Sequence, residues 1–376
     1  MKQNYFKIIL GLLLFATACS SGQRNLDRGN YDQAVFQAVK RLQQKPGHAK
    51  ASAVLQDAYE LAVNEHMHRI EFYDRSTDRY KWTQMADEYA AIEQLNRAIR
   101  RYPQYMHLVD LVDVTDELAL TKQEASKVHI ARGEELMARG SREAARLAYE
   151  EFKTASFFDN ANNSIEQKIN EAREAGTLNV ALDFPLNEAN SYMIPTKDLY
   201  YAVQNATRGL NYTFLRVVDI NDPVFEADEI IRLSFDEILV GQVFVNQTTE
   251  RVTRKDVKLG EVEVNDSTIL PVYGEVHADL RTFTKTLNSS GVLLLQRVDT
   301  YSGAVLNRTR IPASFNWTGQ WGDFRGDERA LSDSQYETAM RNEPPPPSPQ
   351  WLFIQMSKPL LDQSLRIFND TYRYLR

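Results

Sequence analysis

The sequence contains a single cysteine among its 376 residues, Cys19, which excludes a disulfide within the chain and any zinc site built from several cysteines. It also lacks an excess of positive charge, because 44 Lys and Arg against 51 Asp and Glu give a net charge of −7. A broad nucleic-acid surface needs a basic excess, so nucleic acid is not an expected partner. The hydrophobic fraction of 43% is typical of a folded globular protein, and the length predicts two domains.

Signatures of catalysis are missing as well. The sequence has no Gly-x-Ser-x-Gly, Gly-x-Gly-x-x-Gly, Gly-x-x-x-x-Gly-Lys or His-Glu-x-x-His motif. His66 and His68 are two residues apart, which places them on different faces of a helix and argues against a shared metal ion. The adjacent carboxylates Asp236 and Glu237 could serve as a hydrolase pair, but 51 acidic residues make such pairs common by chance. We therefore expect no enzyme activity, cofactor or metal.

The N-terminus predicts the cellular location. Lys2 and Lys7 flank the start of an apolar run, residues 8–15, and small residues then lead to Cys19. This order is typical of a secretory signal peptide, and the run is shorter than the roughly 20 apolar residues that span a bilayer. The position of the cysteine resembles the lipobox of bacterial lipoproteins, which implies that residues 1–18 are removed and that Cys19 carries the lipid. An ordinary signal peptide with an incidental cysteine is the alternative.

Residues 19–27 follow as a lipid-anchored tether. Ser20 is not the aspartate that retains many lipoproteins in the inner membrane, and residues 20–25 lack the acidic run of surface-exported Bacteroidota lipoproteins. The resemblance therefore implies attachment to the outer membrane through the lipid on Cys19, on the face toward the periplasm.

Residues 28–175 are predicted to form a helical domain. Two segments resemble the tetratricopeptide repeat, in which Gly permits a tight turn, Tyr and Ala fill the contact between helices, and Pro ends the unit. The first has Gly29, Tyr31, Ala34, Leu42 and Pro46, and the second has Gly140, Ala145 and Tyr149. Between them lies an apolar stripe that ends before Pro103 and is interpreted as core: Met85, Tyr89, Ile92, Ile99 and Tyr102. The resemblance implies a degenerate array whose concave surface binds a protein.

Residues 176–331 are predicted to form a mostly antiparallel sheet backed by one or two helices, which makes the fold class α plus α/β. Leu178–Phe184 alternates as a strand should, Thr196–Arg208 reads as a helix, and Thr213–Val218 as a second strand. Six further strands are predicted: Ile230–Phe235, Ile238–Thr248, Arg251–Lys258, Val272–Leu287, Gly291–Thr300 and Ala304–Arg310. A turn at Tyr301-Ser302-Gly303 joins the last two.

The order of these elements, with the segment Val298–Val305, resembles the α/β domain shared by the curli secretion-channel lipoprotein and penicillin-binding-protein activator lipoproteins. The order of lipobox, helices and strands resembles uncharacterised tetratricopeptide-repeat lipoproteins of Bacteroidota, which implies no known reaction. Residues 332–376 are predicted to form a proline-rich spacer, with Pro344 to Pro347 and Pro349, and a C-terminal amphipathic helix suggested by Leu352–Met356 and Leu360–Leu375.

Trp317 and Trp321, followed by Asp327 and Arg329, are candidates for a partner or ligand patch. The alternative is that both tryptophans pack at a sheet corner while Asp327 caps a helix near Arg329. The whole pattern predicts a non-enzymatic outer-membrane lipoprotein that serves as a periplasmic scaffold or adaptor for a cell-envelope machine, with envelope proteins as partners. A glycan- or small-ligand-binding lipoprotein and an envelope hydrolase are the alternatives.

Overall fold

The computed structural model describes residues 22–185, 196–220, 224–265 and 268–376. The predicted signal peptide and the predicted lipidation site, Cys19, lie outside these residues. The chain divides into two compact units, with the division after Gly176.

The first unit is an array of helices in chain order, which confirms the predicted helical half. Its helices are α1 (Gln23–Leu26), α2 (Tyr31–Gln44), α3 (Ala49–Asp74), α4 (Lys81–Arg100), α5 (Thr115–Met137), α6 (Arg142–Phe158) and α7 (Asn163–Gly176). A 3₁₀-helix, Pro103–Leu108, follows α4. Consecutive helices from α2 onward pack against each other and bury one stripe each.

The predicted stripe of α4 lies in this core. Met85, Ile92 and Ile99 are buried there, and Tyr89 and Tyr102 pack against it while half-buried. The helix ends at Arg100, because Pro103 cannot donate the backbone hydrogen bond that would continue it.

Buried polar groups also tie the first helices together. The Tyr59 hydroxyl donates to Oδ1 of Asn96 at 2.7 Å and accepts from the backbone N–H of Val112 at 2.9 Å. The Tyr105 hydroxyl donates to the carbonyl of Leu42 at 2.7 Å. Burial raises the pKa of Tyr59, so its hydroxyl keeps its proton and acts as both donor and acceptor.

The second unit is a five-stranded mixed sheet with helices. Its strands are β1 (Leu178–Asp183), β2 (Leu215–Val218), β3 (Glu229–Asn265), β4 (Thr268–Asp299) and β5 (Val305–Gly326), in the spatial order β2-β1-β3-β4-β5. The long strands β3, β4 and β5 pair antiparallel, as predicted, whereas β1 pairs in parallel with both β2 and β3.

The prediction of six separate strands after residue 229 was wrong, because three long strands take their place. The first three predicted strands join into β3, the next two belong to β4, and the last begins β5. The strand β3 has irregularities of register at Phe235/Glu237, Leu239/Gln242 and Arg254/Val257, and the first of these coincides with the predicted break after Phe235. The predicted break after Thr248 lies in a regular part of the ladder. A bulge adds an unpaired residue and interrupts the alternation without ending the strand. Asp256 at one bulge has a φ of 57°.

The helices of the second unit are α8 (Thr196–Arg208), α9 (Asp333–Ala339) and α10 (Pro349–Tyr372), with 3₁₀ turns at Glu328–Ala330 and Arg373–Leu375. The bounds of α8 match the prediction. The C-terminal helix begins at Pro349, three residues before the predicted Leu352, because Ser348 caps it and proline is tolerated in a first helical turn. Pro349 is therefore part of the helix and not of the spacer.

The helix α10 packs on the sheet along one buried stripe. The ring of Phe353 lies 5.9 Å from that of Phe235, and the Tyr372 hydroxyl donates to Oε2 of Glu229 at 2.7 Å. Burial and this carboxylate raise the pKa of Tyr372. Within the described ranges, no helix combines the length and the apolar character needed to cross a membrane.

Candidate protein-binding groove on the helical unit

An open groove lies between the start of α2 and the second half of α3. It encloses about 710 Å³ and is lined by Gly29, Tyr31, Leu61, Asn64, Glu65, His68, Arg69 and Phe72. The α3 residues recur at intervals of three and four, so they form one stripe on the outer side of that helix. Two residues predicted to serve in repeat packing, Gly29 and Tyr31, thus border the groove.

The apolar members of this stripe are open to solvent. Leu61 is 41% exposed and Phe72 is 71% exposed, with His68 between them, also exposed. His66 points the opposite way and is only 3% exposed, so the two histidines do lie on different faces of α3, as their spacing predicts.

His66 joins three helices beneath the groove. Its Nε2 lies 3.1 Å from Oδ1 of Asp32 on α2, and its Nδ1 lies 2.5 Å from Oε2 of Glu88 on α4. Arg69 donates through Nε to the same Glu88 oxygen at 2.9 Å and also pairs with Glu65. Because α2, α3 and α4 share this network, the groove has a rigid floor.

The electrostatics favour a charged His66 ring. Burial acts against the protonated form, but the hydrogen bonds and charges of Asp32 and Glu88 outweigh it and raise the pKa of His66. Two carboxylates thus contact one buried imidazole, and Nη2 of Arg69 lies 2.8 Å from its Nδ1.

The same arrangement recurs 63 residues later in the sequence. His129 on α5 is 7% exposed, its Nδ1 lies 2.6 Å from Oε2 of Glu151 on α6, and its Nε2 lies 3.0 Å from the Thr83 hydroxyl on α4. In both sites the histidine and its glutamate are 22 residues apart. An arginine follows each histidine three positions on, Arg69 and Arg132.

The outer surfaces differ between these two histidine-centred repeats, the first built around His66 on α3 and the second around His129 on α5. The positions of Leu61 and Phe72 correspond to Glu124 and Glu135 in the second repeat. Glu124 pairs with Lys127 at 2.7 Å, and Glu135 pairs with Arg79 and Arg132 at 2.7 and 2.9 Å. The fold therefore accepts charged side chains at these positions, and the apolar surface of the first repeat is not a requirement of packing.

The remaining predicted repeat residues behave as packing or turn residues. Gly29 and Gly140 have φ values of 77° and 70° directly before α2 and α6, so both turns need glycine. Ala34, Leu42 and Ala145 are buried, Tyr149 is half-buried, and Pro46 is exposed just after α2.

Trp317 and Trp321 share one face of β5. Trp321 stacks on Phe283 with ring centroids 5.4 Å apart, and the Lys285 ammonium lies 5.4 Å from its ring centre. Between the tryptophans, Gly319 faces Pro344, since a Cβ there would lie 2.6 Å from Cγ of that proline. Lys285 also pairs with Glu343, so the proline-rich segment lies against the tryptophan face.

Asp327 and Arg329 belong to a different cluster. Gly326, the residue before Asp327, lies five residues beyond Trp321, or about 16 Å along β5. The Asp327 carboxylate accepts from the N–H and the guanidinium of Arg329, which lowers the pKa of Asp327 to about 2. Asp327 thus caps a turn near Arg329 as predicted, although the turn is a single 3₁₀ turn.

Arg329 holds the strand β3 in place. It donates through Nη1 to the carbonyl of Lys258 at 2.7 Å, and its own carbonyl accepts from Arg254 at 3.1 Å. The four residues predicted as one patch therefore form two separate clusters.

The carboxylates considered for a hydrolase contact a cation. Asp236 Oδ2 lies 2.6 Å from Nη1 of Arg310, and Glu237 lies 3.6 Å from the same guanidinium. In the part of the chain that the structure describes, no group of three or more His, Cys, Asp or Glu side chains could hold a metal ion.

Sequence reasoning missed the residues that define the groove and its floor: Asp32, Leu61, Arg69, Phe72 and Glu88. A search for internal repeats at an offset of 63 would have found the His-x-x-Arg pairs and their glutamates. No family model matches the chain, and no curated protein matches it.

Proposed function

We propose that the chain is a membrane-tethered adaptor of the bacterial cell envelope, which binds a partner protein in the groove of α2 and α3. The lipid on Cys19 attaches it to the outer membrane on the face toward the periplasm. Its role in this proposal is binding and positioning, not catalysis.

The observation that carries the proposal is the exposure of Leu61 and Phe72 on a rigid helical surface. Eleven residues of α3 separate them, which is about 16 Å along the helix. An apolar segment of about three helical turns spans that length, and it would bury both side chains. Asn64 and His68 lie between them and offer hydrogen bonds that orient such a segment.

Tethering strengthens this binding. A lipid confines the adaptor to the membrane surface, so that a partner in the same membrane meets it at a raised effective concentration. A groove of modest intrinsic affinity is then sufficient for stable recruitment.

The experiment is affinity purification after crosslinking in intact cells that express the full chain. The test variant is Leu61→Glu with Phe72→Glu, and the control is Phe157→Glu on α6, whose side chain is 77% exposed in the same array. We expect one envelope protein to be recovered with the wild type and the control, and to be lost with the double variant. A Cys19→Ser variant is expected to reduce the recovery.

A synthetic peptide of the crosslinked partner segment then measures the affinity directly. Binding that weakens at least tenfold in the double variant supports the groove as the site. Recovery that is equal in the double variant and the wild type contradicts it, as does a crosslink from the groove to another part of the same chain.

A further inference from the structure

Over the residues that the structure describes, the outer edge of β3 has no neighbouring strand along most of its length. Among the described residues, β1 pairs with β3 only at Glu229 to Arg232, and beyond this point β3 has a neighbour on one side only, β4. From Gln242 to Arg254 the register with β4 has no bulge. The first eight residues of this stretch, Gln-Val-Phe-Val-Asn-Gln-Thr-Thr, carry no charge and no proline, and all of them are exposed.

Such an edge is a template for another strand, because its backbone N–H and C=O groups have no ladder partner on that side. Proteins usually block exposed edges with bulges, charges or proline. The residues Val243, Phe244 and Val245 offer none of these and are 55%, 49% and 55% exposed.

The other edge of the long sheet is blocked. Pro312 interrupts the donors of β5, and the exposed Arg308 precedes it. A Cβ on Gly322 would meet Ala339, and a Cβ on Gly319 would meet Pro344. Since these two glycines face opposite sides of β5, the chain between Ala339 and Pro344 crosses its edge.

We propose that two copies of this chain pair through their β3 edges, antiparallel and around a two-fold axis at Asn246. The blocked β5 edge prevents a head-to-tail contact with β3 that could grow into a filament, and a two-fold contact uses the same bare edge twice. The β3–β4–β5 sheets of both copies become one sheet.

The side chains match across this axis. Val245 lies opposite Gln247 of the second copy, and Phe244 lies opposite Thr248, so the apolar residues are flanked by uncharged ones. Beyond the bulge-free stretch, the antiparallel direction brings the acidic end of one edge, at Glu237, which is 75% exposed, toward the basic end of the other, at Arg254 and Lys255. The pairing thus has complementary charge at both ends.

Because the native chain has only one cysteine, an introduced cysteine can test this pairing directly. In the full chain with Cys19→Ser, purified in detergent, Asn246→Cys introduces the only thiol on the axis. Opposite residues have Cβ atoms about 5 Å apart, close to disulfide distance, whereas the two Gln242 positions would be about 26 Å apart. We expect Asn246→Cys to form a covalent dimer on mild oxidation, at least tenfold faster than Gln242→Cys.

A second measurement tests the contact without introduced cysteines. Analytical ultracentrifugation of the full chain in detergent is expected to show a monomer–dimer equilibrium, weakened at least about 100-fold by Val245→Lys, which places like charges near the axis. The control is Val305→Lys, at a position 54% exposed on β5, which should leave the equilibrium unchanged. A monomer at all concentrations, equal oxidation of the two cysteine variants, or a dimer that persists in Val245→Lys would overturn the proposal.

Discussion

The two histidine-centred repeats of the helical unit have the same interior and different exteriors. Both bury a histidine between three helices, with a glutamate on the following helix 2.5 or 2.6 Å away. On the outside, the first repeat exposes Leu61 and Phe72, whereas the second has the paired glutamates Glu124 and Glu135. The comparison separates the residues that build a repeat from those that give it a binding surface.

The interiors also differ in one detail. The third partner of His66 is the carboxylate of Asp32, whereas the third partner of His129 is the hydroxyl of Thr83. The first repeat therefore holds a charged cluster beneath its apolar groove, and the second does not hold two carboxylates around its ring.

Removing the glutamate that contacts the buried histidine should lower the free energy of unfolding most. The loss should be larger in the first repeat, at Glu88, than in the second, at Glu151. Glu88→Ala leaves His66 and Arg69 short of a carboxylate in the interior, so we expect the free energy of unfolding to fall by about 4 kcal/mol. Glu151→Ala removes partners of His129 and of the neutral Tyr80 hydroxyl and should cost about 1–2 kcal/mol. Amide hydrogen exchange in α3 to α6 measures both, and equal costs would contradict the distinction.

The packing positions four residues after each buried histidine, Ile70 and Gly133, should respond in different ways to alanine. Ile70 is 6% exposed in the core, so Ile70→Ala leaves a cavity and should cost about 3 kcal/mol. Its counterpart Gly133 lies under Phe152, and a Cβ there would sit 2.3 Å from the ring. Gly133→Ala should therefore cost about 1–2 kcal/mol through a clash, despite the better helix propensity of alanine. Thermal unfolding and amide hydrogen exchange in α5 test this expectation. A Gly133→Ala variant that is more stable than the wild type would contradict it.

The stability of the first repeat should depend on pH through His66. The pKa of His66 is raised in the folded state, so its contribution is fully present below the unfolded value of about 6.5. It is lost as the pH rises through the folded-state pKa, and each pKa unit corresponds to about 1.4 kcal/mol. NMR titration of the ring protons checks this. Asp32→Asn should bring the pKa down, and an unchanged titration in that variant would contradict the network.

The smallest effect on stability is expected for the groove itself. Leu61→Glu with Phe72→Glu copies the exterior of the second repeat, so the free energy of unfolding should change by less than about 0.5 kcal/mol. Chemical denaturation measures the change, and a loss of several kcal/mol would mean that these side chains serve the fold and not a partner.

The sequence predicted the fold well where one periodicity dominates. The stripes of α2 and α4 and the turn glycines Gly29 and Gly140 follow from local rules, and so does the helix Thr196–Arg208. The long strands were divided too finely, in part because a bulge such as that at Phe235/Glu237 breaks the alternation that marks a strand.

The groove could not be predicted from the sequence, for a different reason. Leu61 and Phe72 look like ordinary members of an apolar helix, and only the packing of α2 and α4 shows which side of α3 stays open. The partners of His66 come from helices 34 and 22 residues away, a distance at which local pattern gives no information.

The most direct test is site-specific photo-crosslinking in intact cells, with a photoreactive amino acid at position 72 or at its counterpart 135. Both positions are exposed at corresponding places of the two histidine-centred repeats, so position 135 serves as the control for the surface around position 72. Our account predicts one discrete crosslinked envelope protein from position 72 and none from position 135. The same products from both positions, or none from position 72, would contradict a partner-binding groove on the first repeat.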